Sequence, residues 1–572
     1  MKNNVRFPYG VSDFKSLVSE GYVFVDRTEH IELIERAGEK FLFFFRPRRF
    51  GKSLLISILQ HYYGLEHKEL FDKLFGQFYI GKNKTAIANT FHILRFDFSG
   101  IDTATRESTF NNFLGKVKAG VLSLMSRYSS LFSEKDRQAI ESQSSPNQVV
   151  QELFAVFERN KVKQKIYVLI DEYDHFTNEL MAFRLDEFKE TVSQNGYVRK
   201  FFEMLKEGAG AGFVDRMFAT GVSPVTLDSL TSGFNIGKDI SLNILFTEMA
   251  GFTEEEVLGL LKLLPARGGP EPESYLPELR KWYNGYRFHL SAKRSIYNPG
   301  MILYFCTEYL SNSGFPPELL DVNVASDYGK IRRLFELGQT ERNYAVLREL
   351  LEQGRVGAQL TQQFSFEKPF TRDDFISLLY YLGHLTLAPS LPGFPEFKVP
   401  NFVIKKLFLD YFFHLLEQRD KVPIDTRQLR NAMVGLAIHG SPKLFFGYVA
   451  DILRHLSNRD YRNFTEKHLK VIIIATALQS DIYYVKSERE TNGGYTDIQF
   501  LQRPPFPVNS QYLFELKYLK KEEAGKLKNV QAEARQQLLA YLDSDPELRE
   551  RPGLQCWTVV VVKDEIMLEQ VG

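Results

Sequence analysis

The sequence predicts an α/β chain organised on a parallel sheet, and three observations carry that prediction. Phe41–Phe45 and residues 166–170 are unbroken apolar runs of strand length, the pattern of strands buried on both faces. The first run is followed by a tight polar loop and then by Leu54, Leu55, Ile58 and Leu59 at helical spacing. Strand and helix signals then alternate from residue 40 to residue 250 before the pattern changes.

Taken in order, residues 5–35 form a lead-in, with a short strand expected over 22–27 and a helix over Glu29–Arg36. Next comes the stretch on which the chain is organised. After the strand Phe41–Phe45 the loop reads Arg46, Pro47, Arg48, Arg49, Phe50, Gly51, Lys52, Ser53, with Leu54 opening the apolar stripe of the helix. Strand, loop and helix in this order is the context of a phosphate-binding loop. Amide N–H groups at a helix start point at an anion, and the helix dipole favours negative charge there. Gly51 lets the backbone approach a phosphate closely, Lys52 reaches terminal phosphates, and the Ser53 hydroxyl suits Mg²⁺. The usual pattern GxxxxGK[ST] has glycine where Arg46 stands, so GKS alone also fits an ordinary strand-to-helix turn with a surface lysine.

Residues 92–98 form the next strand, and helices fill much of 105–160. The strand at 166–170 ends in Asp171 and Glu172. A carboxylate at the carboxyl end of a core strand can hold Mg²⁺, directly or through water, and Glu172 then stands where it can polarise an attacking water. Asp174 is a second carboxylate nearby, open to a structural role. A further strand begins at Arg216 and ends in Thr220, Gly221, Val222 and Ser223; Thr220 or Ser223 could sense a terminal phosphate or simply cap the strand.

From residue 251 the signals turn helical. Thr253 is an N-cap with Glu256 at the capping-box position. A helical lid is expected to about residue 290, where Arg287 is a candidate arginine finger against the plainer reading of a stacked structural arginine. Residues 300–460 read as mainly helical, with helix, hairpin and helix near 375–402 in a winged-helix-like order; no dense basic stripe marks it, which favours packing over DNA binding.

The last hundred or so residues carry a second chemical pattern. Residues 464–478 read as a helix with Glu466 near its start, Asp497 lies in a strand, and Glu515 and Lys517 lie in another. Alternation along a strand points Glu515 and Lys517 to one face and Phe514 and Leu516 to the other. Asp497 and Glu515 as Mg²⁺ ligands, Glu466 as a third oxygen, and Lys517 beside the attacking water would form a phosphodiester-hydrolysing arrangement. A helix bearing Gln537 follows. The plain alternative is an amphipathic hairpin with solvated charges. The division expected is 1–250, 251–370, 371–455 and 456–572.

Composition restricts the classes. The net charge is +1 over 572 residues, so no global basicity points to nucleic acid. Two cysteines, Cys306 and Cys556, argue against a disulfide framework or a cysteine zinc site and suit a reducing cytoplasm. The start of the chain has no signal-peptide core, and no apolar run is long enough to span a bilayer, so neither export nor a membrane is expected.

Together these stretches resemble the bacterial AAA-ATPase-like proteins fused to a PD-(D/E)XK nuclease-like domain. The resemblance covers nearly the whole chain. It rests on Phe7 to Gly10, Tyr22 to Thr28, the loop Arg46 to Ser53, Asp171 to Asp174, Thr220 to Pro224, Trp282 to Tyr286, Glu466, Ser487 to Glu490, Asp497, and Glu515 to Lys517. Arg46 in place of the first glycine matches that family's own variant. The resemblance implies a P-loop NTPase sheet with a helical lid, a helical and winged-helix-like middle, and a C-terminal restriction-endonuclease-like domain. It implies P-loop roles for Lys52 and Ser53, Walker B roles for Asp171 and Glu172, and a nuclease signature of Asp497, Glu515 and Lys517. The family pattern has an arginine where Tyr495 stands, which puts backbone or DNA contacts at that strand in doubt. The implied ligands are ATP with Mg²⁺, with Mn²⁺ as an alternative at the nuclease-like site; DNA and a second copy of the chain are the candidate macromolecular partners. The competing expectation is a nucleotide-gated switch or scaffold whose nuclease-like domain only binds a partner.

Overall fold

The structure, a computed structural model, describes residues 5–571 apart from 193–195, 227–233, 267–268, 325–330, 365–368, 392, 420, 457–463, 481, 492–493 and 504–505. Of the residues quoted for the resemblance or its departure, the side chains of Glu488, Arg489, Glu490 and Tyr495 lie outside the described set. The chain packs as two compact units, one of residues 1–314, 320–346 and 355–402, the other of 315–319, 347–354 and 403–572.

The first unit is built on a five-stranded parallel sheet. Its strands are β1 (Phe41–Phe45), β2 (His92–Asp97), β3 (Ile166–Asp171), β4 (Val214–Gly221) and β5 (Lys238–Asp239), in the order β2-β3-β4-β1-β5. β3 is buried at every position, which is why its sequence is a continuous apolar run rather than an alternating one. Parallel pairing sets the carboxyl ends of β1 to β4 along one edge, where Phe45 is in register with Gly221 and Asp97 with Asp171. Ligands of open α/β sheets collect at that edge. The helix Arg106–Arg127 lies against β2 so closely that a Cβ at Gly120 would stand 2.6 Å from the Phe96 ring.

One local expectation fails. Residues 22–27 form no strand; the chain there is extended without a sheet partner, and Val23 N–H donates to the Arg6 carbonyl at 2.9 Å. Its apolar side chains go elsewhere. Phe24 packs edge-on to Phe14 and Phe78, and Val23 and Val25 line a cavity described below. A short continuous apolar run such as Tyr22 to Val25 does not distinguish a sheet partner from a cavity wall.

Beyond the sheet, Thr253 and Glu256 form the predicted capping box at the start of Glu254–Leu261. A small antiparallel sheet of β6 (Arg355–Gly357), β7 (Thr386–Leu387) and β8 (Glu396–Lys398) follows in the order β6-β8-β7. β7 and β8 pair as expected, Thr386 with Lys398 and Leu387 with Phe397, after the helix Arg372–Tyr381. The three-residue β6 is too short to leave a periodic signal.

The second unit has a mixed five-stranded sheet of β9 (Tyr483–Thr491), β10 (Gly494–Gln502), β11 (Gln511–Leu519), β12 (Leu554–Val562) and β13 (Glu565–Gln570), in the order β13-β12-β11-β10-β9. Only β11 and β12 pair in parallel, joined through the helix Leu527–Ser544. Leu513 of β11 packs with Leu538 of that helix, whereas Phe514 meets Phe446 at 5.0 Å, so the two faces of β11 bury different partners. Among the described residues no helix is long and apolar enough to cross a membrane.

Candidate functional site

In the first unit the loop after β1 turns on two residues with positive φ, Arg49 at 65° and Gly51 at 90°. A Cβ at Gly51 would meet nothing within 4 Å, so the backbone conformation, not crowding, favours glycine there. Gly51 is the N-cap of the helix Lys52–Tyr63 and has no side chain to cap it, which leaves the first amides of the helix to an outside acceptor.

Lys52 is buried, and its Nζ donates to the carbonyl oxygens of Arg46 at 2.9 Å and Pro47 at 3.0 Å. Burial lowers its pKa, opposed most by the anion of Glu172 and then by Asp174 and Asp171. The lysine and the acidic group after β3 therefore share one neighbourhood, although β4 lies between β1 and β3 in the sheet.

A cavity of about 400 Å³ opens on this loop. Arg48 to Leu54 line one wall, and Glu172 and His175 line another. The remaining wall is largely apolar and comes from Val23, Val25, Ile31, Met249 and Leu260. The lining thus combines polar groups of the loop and Glu172 with apolar side chains, the make-up of a small-molecule site.

Asp171 ends β3. Its Oδ1 accepts the Thr220 hydroxyl at 2.8 Å, and its Oδ2 lies 3.9 Å from the Arg95 guanidinium. Glu172 has φ of 51°, a left-handed conformation that costs a non-glycine residue about 1 kcal/mol or more. That turn brings its carboxyl to the cavity, where burial raises its pKa and His175 and Lys52 oppose the rise.

Asp174 has a structural role. Its carboxylate accepts the amides of Val222 at 3.0 Å and Ser223 at 2.6 Å, the Ser223 hydroxyl at 3.1 Å and the Asn178 amide at 2.7 Å. The Ser223 hydroxyl is thus engaged with Asp174 and Asn178, as the Thr220 hydroxyl is with Asp171.

Arg46 sends its side chain away from the cavity. It is 1% exposed, donates to the carbonyls of Phe45, Ser241 and Phe246 at 2.8–2.9 Å, and stacks over Phe44 and Phe288. Burial lowers its pKa to about 10. Phe50 packs edge-on to Tyr286 and Phe288, so the aromatic segment near 282–288 backs the loop. Arg287 points its electrostatics elsewhere, at Lys398. Tyr9, singled out only within the Phe7 to Gly10 stretch, proves to contact the loop: its hydroxyl bonds to Asp321, Asn323 donates to it at 3.3 Å, and Arg49 donates to it at 3.5 Å.

In the second unit the alternation of β11 holds. Lys517 Nζ lies 2.9 Å from Glu515 Oε1, and both point to the face that carries Leu513. Asp497 of β10 accepts the Leu516 amide at 2.9 Å. Burial, then Asp497, raises the Glu515 pKa to about 8 against the pull of Lys517, so the two carboxyl groups are close enough to resist joint ionisation. Glu466, with a pKa raised by burial and by Asp497, stands near the pair. Two neighbours escaped the sequence reading. Lys470 Nζ is 3.5 Å from Asp497 Oδ1, and Tyr541 feels the charges of Glu515, Asp497, Lys517 and Glu466. Both lie four residues along a helix from residues already singled out, Glu466 and Gln537, and that spacing was the available signal.

Among the described residues no three His, Cys, Asp or Glu side chains gather closely enough to hold an ion. The donor chemistry nevertheless fits a hard divalent cation with a largely aqueous shell. Glu515 Oε2 is a buried acceptor with no hydrogen-bond partner, beside a second carboxylate.

Residues 8–231 match a family model described as a predicted AAA-ATPase, and residues 464–571 match one for the PD-(D/E)XK nuclease superfamily. An uncharacterised protein in the vnfD 5′ region of Azotobacter chroococcum mcd 1 is 26% identical over 333 residues, which are 55% of this chain and 56% of that protein. The chain thus matches little more than half the length of that relative. A Walker-type ATPase of Pyrococcus abyssi aligns with 71% of this chain and 99% of its own, at a TM-score of 0.35 and 13% identity.

Proposed function

From a chain that joins a predicted AAA-ATPase domain to a PD-(D/E)XK nuclease superfamily domain, we propose a bacterial, cytoplasmic enzyme that binds and hydrolyses MgATP in its first unit and cleaves DNA in its second. The observation that carries the first half is the cavity shared by Gly51, Lys52, Ser53 and Glu172. The amides at the helix start bind phosphate, Lys52 turns from the loop carbonyls to the terminal phosphates, and Ser53 with Asp171 holds Mg²⁺. Glu172 orients and deprotonates the attacking water, and the Thr220 and Ser223 region reports on the terminal phosphate through its ties to Asp171 and Asp174.

For the second half, Asp497 and Glu515 would hold a divalent metal, Mg²⁺ or Mn²⁺, with water completing its shell and Glu466 nearby acting through that water rather than as a direct ligand. Such a metal supplies charge neutralisation at the scissile phosphate and a more acidic water. Lys517, held by Glu515 at 2.9 Å and kept protonated by that carboxylate, would orient the water and offset the charge that builds on the scissile phosphate. Two free, buried cysteines fit the reducing compartment.

The test is nicking of supercoiled plasmid with Mg²⁺ or Mn²⁺, with and without ATP, alongside ATP turnover. Cleavage by the wild type and its loss in Glu515→Gln support the reading. A folded protein that turns over ATP and cuts nothing under any metal condition overturns the nuclease half.

One observation favours a second reading. Both carboxylates already have a cation from this chain, Lys470 on Asp497 and Lys517 on Glu515. In a nucleotide-gated scaffold those pairs would hold the fold, nucleotide would bind tightly and turn over slowly, and Glu515→Ala would leave biological activity intact.

A further inference from the structure

The small sheet of the first unit carries cations in a row. In register, Arg355 of β6 stands opposite Lys398 of β8, and Lys398 stands opposite Thr386 of β7. The Thr386 hydroxyl accepts the Arg287 backbone N–H at 2.7 Å, which brings Arg287 to the end of the same row. Like charges directly across a sheet repel one another. Glu396 offsets one of them, pairing with Arg355 at 3.0 Å. Asp373, near Arg355 and Glu396, accepts the Gln359 backbone N–H at 3.2 Å and keeps its negative charge, so Arg355 is the cation of the row with anions beside it. Among the described residues neither Arg287 nor Lys398 forms an ion pair. The strain is visible at Lys398, whose pKa is lowered by burial and then by Arg287 and Arg355.

The row crosses the base of the β7–β8 hairpin. At the far end of that hairpin Leu391 and Phe394 are 75% and 73% exposed. Large apolar side chains on a solvent-facing tip, above a base where Arg287 and Lys398 have no ion-pair partner among the described residues, call for an anionic partner with an apolar recess. The helix ahead of the hairpin cannot supply a groove-reading surface, because Arg372–Tyr381 is buried at every position from Phe375 to Tyr381. The hairpin is what this region presents to the outside.

We propose that this hairpin is a duplex-DNA contact, with Lys398 and Arg287 on backbone phosphates and Leu391 and Phe394 against the minor groove. The minor groove, about 6 Å wide, admits side chains but no helix. Cations combined with apolar wedges are the means by which proteins engage it. No base-edge reader stands in the row, so the contact is to backbone and shape and discriminates weakly between sequences. This inference rests on the DNA-cleaving reading above and adds where the first unit holds the duplex.

The test is fluorescence anisotropy of the full chain in EDTA, using a labelled blunt duplex longer than two helical turns, over a series of salt concentrations. The wild type is compared with the double variant Arg287→Ala, Lys398→Ala and with Phe394→Ser. The double variant should bind about tenfold more weakly at low salt, with a log–log salt slope shallower by about 1.8, the value for two lost phosphate contacts. Phe394→Ser, at an exposed tip, should weaken binding severalfold and leave the salt slope unchanged. Wild-type binding that neither variant alters overturns this inference and leaves the DNA reading standing. A wild type that binds no duplex overturns both. Variants that lose only a protein partner, with duplex affinity intact, overturn the choice of DNA.

Discussion

The Lys52 ammonium lies 2.9 Å from the Arg46 carbonyl oxygen, so the group proposed to bind phosphate is held by the loop that presents it. Lys52→Ala is expected to abolish the rise in melting temperature that ATP and Mg²⁺ produce. At a hundredfold excess over Kd that ligand stabilisation is about 2.7 kcal/mol. The ligand-free midpoint should fall less than in Arg46→Met, because relief of the buried ammonium's desolvation cost partly offsets the stranding of the Arg46 and Pro47 carbonyls. Thermal-shift titration checks both, and a full shift in the variant would remove Lys52 from the site.

Arg46 makes the opposite prediction. Its guanidinium spans three buried carbonyls and does not face the cavity. Arg46→Met strands those acceptors at about 1–3 kcal/mol each, non-additively, and should lower the unfolding midpoint sharply. Arg46→Lys should recover only part, since a point ammonium cannot fork across all three. Below the lowered midpoint the ATP-induced shift should persist. Denaturation curves with and without nucleotide separate the two effects.

These two residues show what the sequence could and could not tell. Lys52 was legible because a strand, a glycine and a helix start leave few places for the next side chain. Arg46 stands two positions from Arg48, and nothing local distinguishes an arginine that turns inward from one that lines a cavity. Its partners Ser241, Phe246 and Phe288 are some two hundred residues away, and only the tertiary fold brings them in. The same applies to Asp321 under Tyr9 and to β4 between β1 and β3. In the second unit, strand alternation fixed the shared face of Glu515 and Lys517 from the sequence alone. Lys470 was readable only as a helical neighbour of Glu466, because its approach to Asp497 depends on how helix and sheet meet.

Asp174 carries a stability prediction. It is fully buried and accepts two backbone amides and two side-chain donors around the end of β4. Asp174→Ala leaves those donors unpaired and should destabilise the first unit by about 3 kcal/mol or more. The Val222 and Ser223 amides should then exchange with solvent much faster. Hydrogen exchange by mass spectrometry reads this directly; unchanged protection at 221–223 would refute the anchoring role.

The first unit should also be acid-sensitive. His92 is buried against Tyr128 and Phe157, both its ring nitrogens lack hydrogen-bond partners, and burial lowers its pKa to about 4. A histidine that stays neutral in the fold but takes a proton when unfolded contributes stability above pH 6.5. That stability is lost as the pH falls from 6.5 towards 4, by about 1.4 kcal/mol per unit. At pH 5 the loss from His92 alone is about 2 kcal/mol. His92→Phe should therefore be nearly neutral at pH 7.5 and stabilising at pH 5 relative to the wild type. Urea midpoints at the two pH values decide it, and an equal difference at both would mean that protonation of His92 plays no part.

Lys470 competes with a metal for Asp497. Its Nζ lies 3.5 Å from Oδ1, on a side chain only 12% exposed. On the proposed reading a divalent ion at Asp497 and Glu515 must sit beside that ammonium or displace it, and either is unfavourable. A unit charge pair at 4 Å is worth about 4 kcal/mol at the effective dielectric of a protein surface, so even a fraction of the repulsion is measurable. Lys470→Met keeps the apolar stem and removes the charge. Mn²⁺ binding followed by titration calorimetry should tighten about tenfold, while Glu515→Gln should lose it. Weaker Mn²⁺ binding in Lys470→Met would show instead that the lysine holds Asp497 in its binding pose.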